Sequence, residues 1–504
     1  MSVTNRPEVI AFLNAIKEEP DDDSLRLILA DYLEERDDPR GTFLRLETEI
    51  ASMDRFDERI WDLKKQRDQL WTQHSDEWLG LLKSKAIPPQ SCDSRHSSRG
   101  LLKVKMTRND LLQSEMRQLA ETECWSWIEE VWTDVGFSVL SQLDDFPRLS
   151  RISTLNSLQP LLPRGAAELT QVSFFPNLRH LNLSGNQIGD DGLRALLNSG
   201  RLSQLIRLDL TENNLHLPSM ERLAQCDLNL KELVLDFNTL TGAGMQALVQ
   251  APWLDGLRSL SLNRTEIRTK GITALSSCEA LVNLRGLRLA RCSFDQRGCD
   301  ELARAKFVSQ IQELNLSHNS IVDSDIRSLN QGDWSSLISL DLSRNPIGRE
   351  EIEALTCSPN LTQQLKTLHV SCPSMTDSAI QELARSPLLA QLRSLSIQGE
   401  GHSEEALRTL FRSPDLDQLQ ELRLTGITGF ASRSLAWLCD LSLPSLRRLA
   451  IPGLRIADQR AVALSEAPGL PKLCEIKCST SHLTSETKAI LEERFDRVVD
   501  RETM

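Results

Sequence analysis

LRHLNLSGNQI (178–188), LIRLDLTENNL (205–215), LKELVLDFNTL (230–240) and LRSLSLNRTEI (257–267) are four versions of one eleven-residue phrase. In the centre of each, leucines alternate with polar residues. A strand points successive side chains to opposite faces, so period-two alternation predicts a short strand with one buried and one wet face. Further copies open at Leu284, Ile311, Leu337, Leu365, Leu392, Leu419, Leu446 and Leu473. About twelve units therefore follow one another at a period of about 27 residues, and a degenerate copy precedes them near Arg151.

After each strand the spacing becomes helical. In IGDDGLRALLNSGRLSQL (188–205) the apolar face is Leu193, Leu196 and Leu197, and Ile380 and Leu383 repeat the pattern later. Asp190, Thr241, Asp323 and Asp377 stand where helix starts are expected. Strand then helix, repeated, predicts parallel strands with helices on the other side. Helices are wider than the ~4.8 Å strand spacing, so such a stack is expected to bend with its strands inside.

This LxxLxLxxN pattern resembles the leucine-rich repeat, and the unit length with a helical second half is similar to the ribonuclease-inhibitor-like subclass. The resemblance covers roughly the last two thirds of the chain. It implies an α/β fold, a leucine-rich repeat horseshoe solenoid. The closing Asn of the phrase, at Asn186, Asn213, Asn238, Asn319 and Asn345, is read as a structural residue whose amide satisfies backbone groups in the turn. Thr265 and Cys292 replace it mid-array, and Pro373, Glu400, Ile427, Leu454 and Ser481 replace it in the last five copies. The charged segment TSETKAILEERFDRVVDRETM (484–504) is expected to be an amphipathic capping helix with no strand after it.

The head is different in kind. Val9, Phe12, Leu13 and Ile16 form one helical face, and Leu25, Ile28, Leu29, Tyr32 and Leu33 a second. A third apolar periodicity through Phe43, Leu46, Ile50, Met53 and Ile60 predicts one long helix from about Thr42 to Trp71. The run FLNAIKEEPDDDSLRLILADYLEERDDPRGTFLRLE (12–47) resembles the bacterial repeat-companion domain, a short N-terminal module found with repeat proteins in planctomycetes and some myxobacteria. HSDEWLG (74–80) and GLLKVKM (100–106) resemble the connection such proteins make into their repeats. The resemblance implies no activity. The expected domains are an α-helical head at 1–72, a transition and capping region at 73–175, and the repeat array with its helical cap at 176–504.

Composition narrows the function. The net charge is −13, and the first fifty residues hold thirteen acidic against six basic side chains, a balance of −7. Bulk charge therefore disfavours nucleic acid. No stretch approaches the ~18 apolar residues of a membrane span, and eleven cysteines without a CxxC pair read as reduced packing residues. A cytoplasmic location is expected, without membrane contact.

The carboxylates around Asp21, Asp22 and Asp23 sit at a helix start, where negative charge is favourable. Glu34, Glu35, Asp37 and Asp38 are read as solvated surface, since no alternating calcium-loop series is present. No phosphate-loop, dinucleotide, zinc-protease or hydrolase motif occurs in its required context. Cys92 and His96 lie in a polar linker without a third orienting group, and Cys474 and Cys478 flank a strand as packing residues. No catalytic residue, metal site or cofactor is expected, and the chain reads as a non-enzyme.

What is left is recognition. The best reading is a protein-interaction scaffold that binds a protein partner on its concave strand face, centred on Leu230–Leu342. The candidate residues are Glu232, Phe237, Arg264, Arg288, Arg291, Glu313, His318 and Asp341: large or planar anchors and opposite charges, expected to be wet. A second stripe, Arg179, Lys231, Arg258, Arg285, Lys366, Arg393 and Arg447, is read first as solvated packing and second as steering for an acidic partner. The alternatives are a partner- or substrate-selecting arm of an enzyme system, such as a ligase adaptor or hydrolase regulator, and a structural protein that self-associates through the 42–71 helix.

Overall fold

The computed structural model describes residues 5–89, 99–113, 116, 120–134, 141–372, 375–398, 403–426, 441–455, 457–480 and 483–500. Cys92 and His96, and positions 373, 400, 427 and 481 of the degenerate copies, lie outside the described residues. The chain divides into two units, one formed by Met1–Thr239 with Ala251–Trp253 and the other by Leu240–Gln250 with Leu254–Met504.

The first unit opens with four helices, α1 (Pro7–Glu18), α2 (Asp23–Glu34), α3 (Arg40–Ser52) and α4 (Arg59–Leu79). Six strands follow: β1 (Leu102–Met106), β2 (Ile128–Thr133), β3 (Thr154–Ser157), β4 (His180–Asn182), β5 (Arg207–Asp209) and β6 (Glu232–Val234). Each pairs in parallel with the next in chain order. The strand series thus begins at Leu102, three strands ahead of the first regular copy. The third of them lies at the degenerate copy near Arg151 and the first within GLLKVKM, while β2 was illegible because IEEVWT lacks the leucine alternation that marks the rest.

The second unit continues the pattern with β7 (Ser259–Ser261), β8 (Gly286–Arg288), β9 (Glu313–Asn315), β10 (Ser339–Asp341), β11 (Thr367–His369), β12 (Ser394–Gln398), β13 (Glu421–Thr425), β14 (Arg448–Arg455), β15 (Glu475–Ser479) and β16 (Arg497–Asp500). Within it every consecutive pair is parallel. All twelve expected copies contain their strand, two residues after the opening position. The architecture is an α/β leucine-rich solenoid.

Register explains the core. Leu181 pairs with Leu208 and Leu208 with Leu233 in the first unit. Leu287, Leu314, Leu340, Leu368, Leu395, Leu422 and Leu449 line up in the second, with Ile476 beside them. All are essentially inaccessible to solvent. One file of inward side chains from many short strands makes the hydrophobic layer that no single unit could bury alone.

Three expectations change. The single helix from Thr42 to Trp71 is two: α3 stops where Met53 turns extended, and α4 starts at Arg59. Asp54 accepts a hydrogen bond from Phe56 N at 2.8 Å and Asp57 from Arg59 N at 2.9 Å. Short acidic side chains offer the backbone these local bonds in place of helix, and the helix breaks there. Of the supposed association stripe, Leu46 and Ile60 are buried within the head. The second change is at the other end, where the helix Ser485–Arg494 is followed by β16, which pairs with β15. The third is that helix-start acids act across repeats. Asp190 accepts from His216 N at 2.9 Å, Asp377 from Ser403 N at 2.7 Å and Asp458 from Thr484 N at 2.9 Å, each joining one repeat's helix start to the next.

Candidate functional site

The ladder position sets the geometry of everything around it. Asn319 is buried and donates through Nδ2 to Leu289 O (2.7 Å) and Leu316 O (3.1 Å), while its Oδ1 accepts from Cys292 N (2.8 Å) and Ser293 N (3.0 Å). Asn345 repeats this with Leu316 O at 3.0 Å and Asn319 N at 2.8 Å. Asn186, Asn213 and Asn238 do the same in the first unit. Where the amide is missing, the substitutes make fewer of its bonds. The Thr265 hydroxyl donates to Leu262 O, and the Cys292 thiol donates to the same carbonyl at 3.1 Å.

The residue just before each ladder position takes a left-handed backbone. The row reads Gly185, Glu212 and Phe237 in the first unit, and Arg264, Arg291, His318 and Arg344 in the second, with φ from 54° to 70°. Four of the eight candidates therefore stand on the turn leaving the strand rather than on the strand face. Phe237 is 47% exposed there, Arg264, Arg291 and Arg344 are exposed, and His318 is half-buried. Arg344 was missed from the sequence. The signal that finds it is its place immediately before Asn345.

The other four candidates lie on the strands. Glu232 (β6) faces Arg207 (β5) at 3.8 Å in the first unit, and Arg288 (β8) faces Glu313 (β9) at 3.8 Å in the second. Asp341 (β10) lies 3.9 Å from the His369 ring on β11. Burial pushes the Asp341 carboxyl up, but His369 and the Ser343 amide outweigh it and hold it below the usual carboxylate range. These side chains are half-buried rather than wet. Strands side by side at ~4.8 Å leave outward groups little room, so neighbours of opposite sign shield one another. Arg448 shows the same habit, bridging Glu421 at 3.4 Å and Glu475 at 2.9 Å.

The structure brings Arg291 and His318 together, with Nη2 3.5 Å from Nε2. Burial lowers the His318 pKa, and the cations Arg291, Arg344 and Arg264 lower it further, against Asp341 alone in the other direction. Glu232 and Phe237 belong to the first unit and the remaining six candidates to the second. Of the second stripe, Arg179 is used internally, its guanidinium donating to Glu18 O on α1 at 2.8 Å.

The opening acidic cluster is divided in its use. Asp22 caps α2, accepting from Ser24 N at 2.8 Å, and the Ser24 hydroxyl first and this amide second hold its carboxyl low. Glu35 and Asp37 are solvated as expected. Asp38 is not. It accepts from Arg6 (2.8 Å) and Arg40 (2.6 Å), and both arginines also reach Glu123, at 2.6 and 3.3 Å. Glu34 likewise holds Arg45 at 2.8 Å. Asp38 is recruited because Gly41 lets α3 press on α2, where a Cβ would lie 2.6 Å from Ala30 O. Lys17 and Glu129 are both buried and feel each other's charge, Lys17 lowered to about 7 and Glu129 raised, both by burial first. Among the described residues no group of three or more His, Cys, Asp or Glu side chains is arranged to hold a metal ion. No helix among them is long and apolar enough to cross a membrane.

A leucine-rich repeat family profile matches residues 176–197 and 227–249. The matched stretches hold the first and third regular copies of the repeat. No curated protein matches it in sequence. Similar solved structures include the Rad7 and Elc1 complex of yeast, at 18% identity and TM-score 0.34 over 62% of this chain and 86% of that one. An internalin of Listeria monocytogenes is similar at 18% identity and TM-score 0.35, over 67% and 93%. A Bacteroides fragilis protein follows at 16% and 0.31, over 52% and 70%. The fold assignment rests on this chain's own strand order and register.

Proposed function

We propose that this chain is a non-enzymatic scaffold that binds a protein partner on its strand side, the face expected to be concave, through the strand positions and the turns that follow them. The observation that carries the reading is the left-handed turn row. A ladder of buried amides, with the Thr265 hydroxyl and the Cys292 thiol at two of its rungs, accompanies one backbone conformation repeat after repeat, so the side chains on it are presented with little left to order when a partner arrives. Phe237 offers an exposed aromatic anchor, and the arginines offer planar ones. Arg288, Glu313, Glu232 and Asp341 supply orienting charge of both signs. In this reading the array belongs to the ribonuclease-inhibitor-like subclass and the head is a repeat-companion module whose charges dock it on the first strands. The protein acts in the cytoplasm without cofactor, nucleic acid or membrane.

The test is site-specific photo-crosslinking in the intact chain. A benzoylphenylalanine at Phe237 or at Glu313 is expected to capture one discrete partner band from a lysate of the source cells. The same probe at Glu353, exposed on the helix side, is expected to capture none. Capture from Glu353 but from neither strand-side position would overturn the face assignment.

A further inference from the structure

The left-handed turn row is cationic along one stretch of the second unit, and nothing in the fold requires it. We propose that Arg264, Arg291, His318 and Arg344 form a binding track for an extended acidic segment of a partner protein. This rests on the scaffold reading and names the chemistry of one of its contacts.

Conformation is the first argument. A left-handed φ costs an L-residue about 1–2 kcal/mol and costs glycine almost nothing, with Asn and Asp the next best tolerated. The first unit has Gly185, Glu212 and Phe237 at this position, one glycine and no cation. In four successive repeats the second unit places Arg, Arg, His and Arg there, none of them favoured by the backbone. Their own amides are already committed along the sheet, Arg264 N to Ala290 O (2.8 Å), Arg291 N to Ser317 O (3.0 Å), His318 N to Ser343 O (3.0 Å) and Arg344 N to Ser371 O (2.7 Å). The turns are therefore rigid, and the side chains are what varies from repeat to repeat.

Charge is the second argument. The residues flanking the row within each turn are Asn263 and Thr265, Ala290 and Cys292, Ser317 and Asn319, and Ser343 and Asn345, with no acid among them. Of the strand acids, Glu313 faces Arg288 at 3.8 Å, and Asp341, 3.9 Å from His369, is the acid that acts on His318 against the arginines. His318 feels three arginines of the row, so the four side chains share one positive field in a chain whose net charge is −13.

Dimensions choose the occupant. At ~4.8 Å per strand, four turns span roughly 14 Å. An extended peptide advances about 3.3 Å per residue and returns a side chain to the same face roughly every 7 Å. A segment of four to six residues with acids at alternate positions can thus meet the arginines in forked, carboxylate-matched geometry. One phosphate is too short to use the row, and the chain's overall acidity repels a nucleic acid beyond it.

The probe is a fluorescein-labelled eight-residue peptide of alternating Glu and Ser, followed by anisotropy on the full-length chain at low salt. Replacing Arg264, Arg291 and Arg344 by Ser together is expected to weaken binding at least tenfold. Replacing Arg297, Arg304 and Arg327 by Ser, exposed arginines of the helix side, changes the net charge equally and is expected to shift it less than twofold. Both triples should keep the parent melting temperature. Lowering the pH until His318 charges should tighten the peptide on the parent chain and not on His318→Gln. Equal loss from both triples, or no binding by the parent at millimolar peptide, overturns the proposal. Tighter binding of polyphosphate or single-stranded DNA of equal charge overturns the assigned occupant. If the row triple still gives the partner crosslink at Phe237 or Glu313, the scaffold reading stands and only the acidic track falls.

Discussion

The helical head and the repeat array both have to close off a hydrophobic layer, and they do it with opposite materials. The array uses one leucine file and one buried amide per turn, repeated with small variation. The head uses contacts that occur once: Arg6 and Arg40 between Asp38 and Glu123, Lys17 beside Glu129, Arg26 donating to Pro20 O at 2.7 Å. A repeated device tolerates a weak copy, because its neighbours hold the same register from both sides. A device made once does not. The comparison predicts shallow, local damage from lost array polar groups and sharper damage from lost head charges, with only the leucine file exceeding both.

The largest effect is therefore expected inside the file. Leu314, 2% exposed and packed between Leu287 and Leu340, should cost about 2–5 kcal/mol when truncated to Ala. Its neighbour Asn315 points outward and its side-chain Oδ1 accepts from Ser317 N at 2.9 Å, so Asn315→Ala should cost about 1 kcal/mol or less. Urea unfolding of the two variants measures the gap, and equal costs would mean that the inside–outside register is wrong.

Next comes the head. Glu123 has a side chain 2% exposed and carries hydrogen bonds from both arginines, and Glu123→Gln leaves those cations short of a counter-charge. A loss of about 2–3 kcal/mol is expected, confined to the head's attachment. Hydrogen exchange should show α1–α3 losing protection while β9 and β10 keep theirs. A uniform loss across both would erase the contrast between the regions.

This pair of predictions also marks what could be read in advance. All twelve strand positions were legible because the leucine alternation recurs, and each copy confirms the phase of the one before. Of the first three strands, β3 falls at the degenerate copy near Arg151, whereas Leu102–Met106 and Ile128–Thr133 were hidden because the inward file position is held by Val104 and Val131 and the position before it by the buried charges Lys103 and Glu130, joined at 3.1 Å. Asp38 read as solvated because, beside its near neighbour Arg40, its second partner Arg6 stands at the N-cap of α1, and nothing local announces that both arginines also reach Glu123. Arg344 stood at a legible position, but it was not singled out until the left-handed row showed what that position does. The ladder's acidic counterpart, Asp190 to His216, was read as a cap for its own helix, because spacing alone does not tell which helix an acid will serve.

A smaller effect is expected in the pH profile of the head. Unfolded, Lys17 keeps its proton to about pH 10. Folded and buried, facing Glu129, Arg148 and Arg151, it releases it near 7. Between those values the unfolded chain binds more protons, so stability rises with pH across that window and is lost as pH falls toward 7, by at most about 1.4 kcal/mol per pH unit. Glu129 has the opposite sign in its own window, because its raised pKa makes the folded state hold the extra proton above the ordinary carboxylate range. Thermal unfolding of Lys17→Met against the parent from pH 7 to 10 isolates the first term. The parent should gain on the variant as pH rises, and parallel curves would show that the head does not bury this charge.

The smallest effect sharpens the comparison from the array's side. Cys292 fills a ladder position with a thiol, a weak donor, where Asn319 and Asn345 place an amide. The thiol reaches Leu262 O, and lies 3.9 Å from the Thr265 hydroxyl that donates to the same carbonyl, but it offers no amide oxygen for the preceding turn. If the amide's worth comes from its position rather than from sequence neighbours, Cys292→Asn should stabilise the chain. The gain is expected to be about 0.5–1 kcal/mol, the net value of one or two added neutral hydrogen bonds. The reverse change, Asn319→Cys, should cost more than this, since it strips bonds from Leu289, Leu316, Cys292 and Ser293 at once. Differential scanning calorimetry reads both. A destabilising Cys292→Asn would show that this turn has adapted to the thiol's smaller volume, and that even the repeated device has been made to fit one copy at a time.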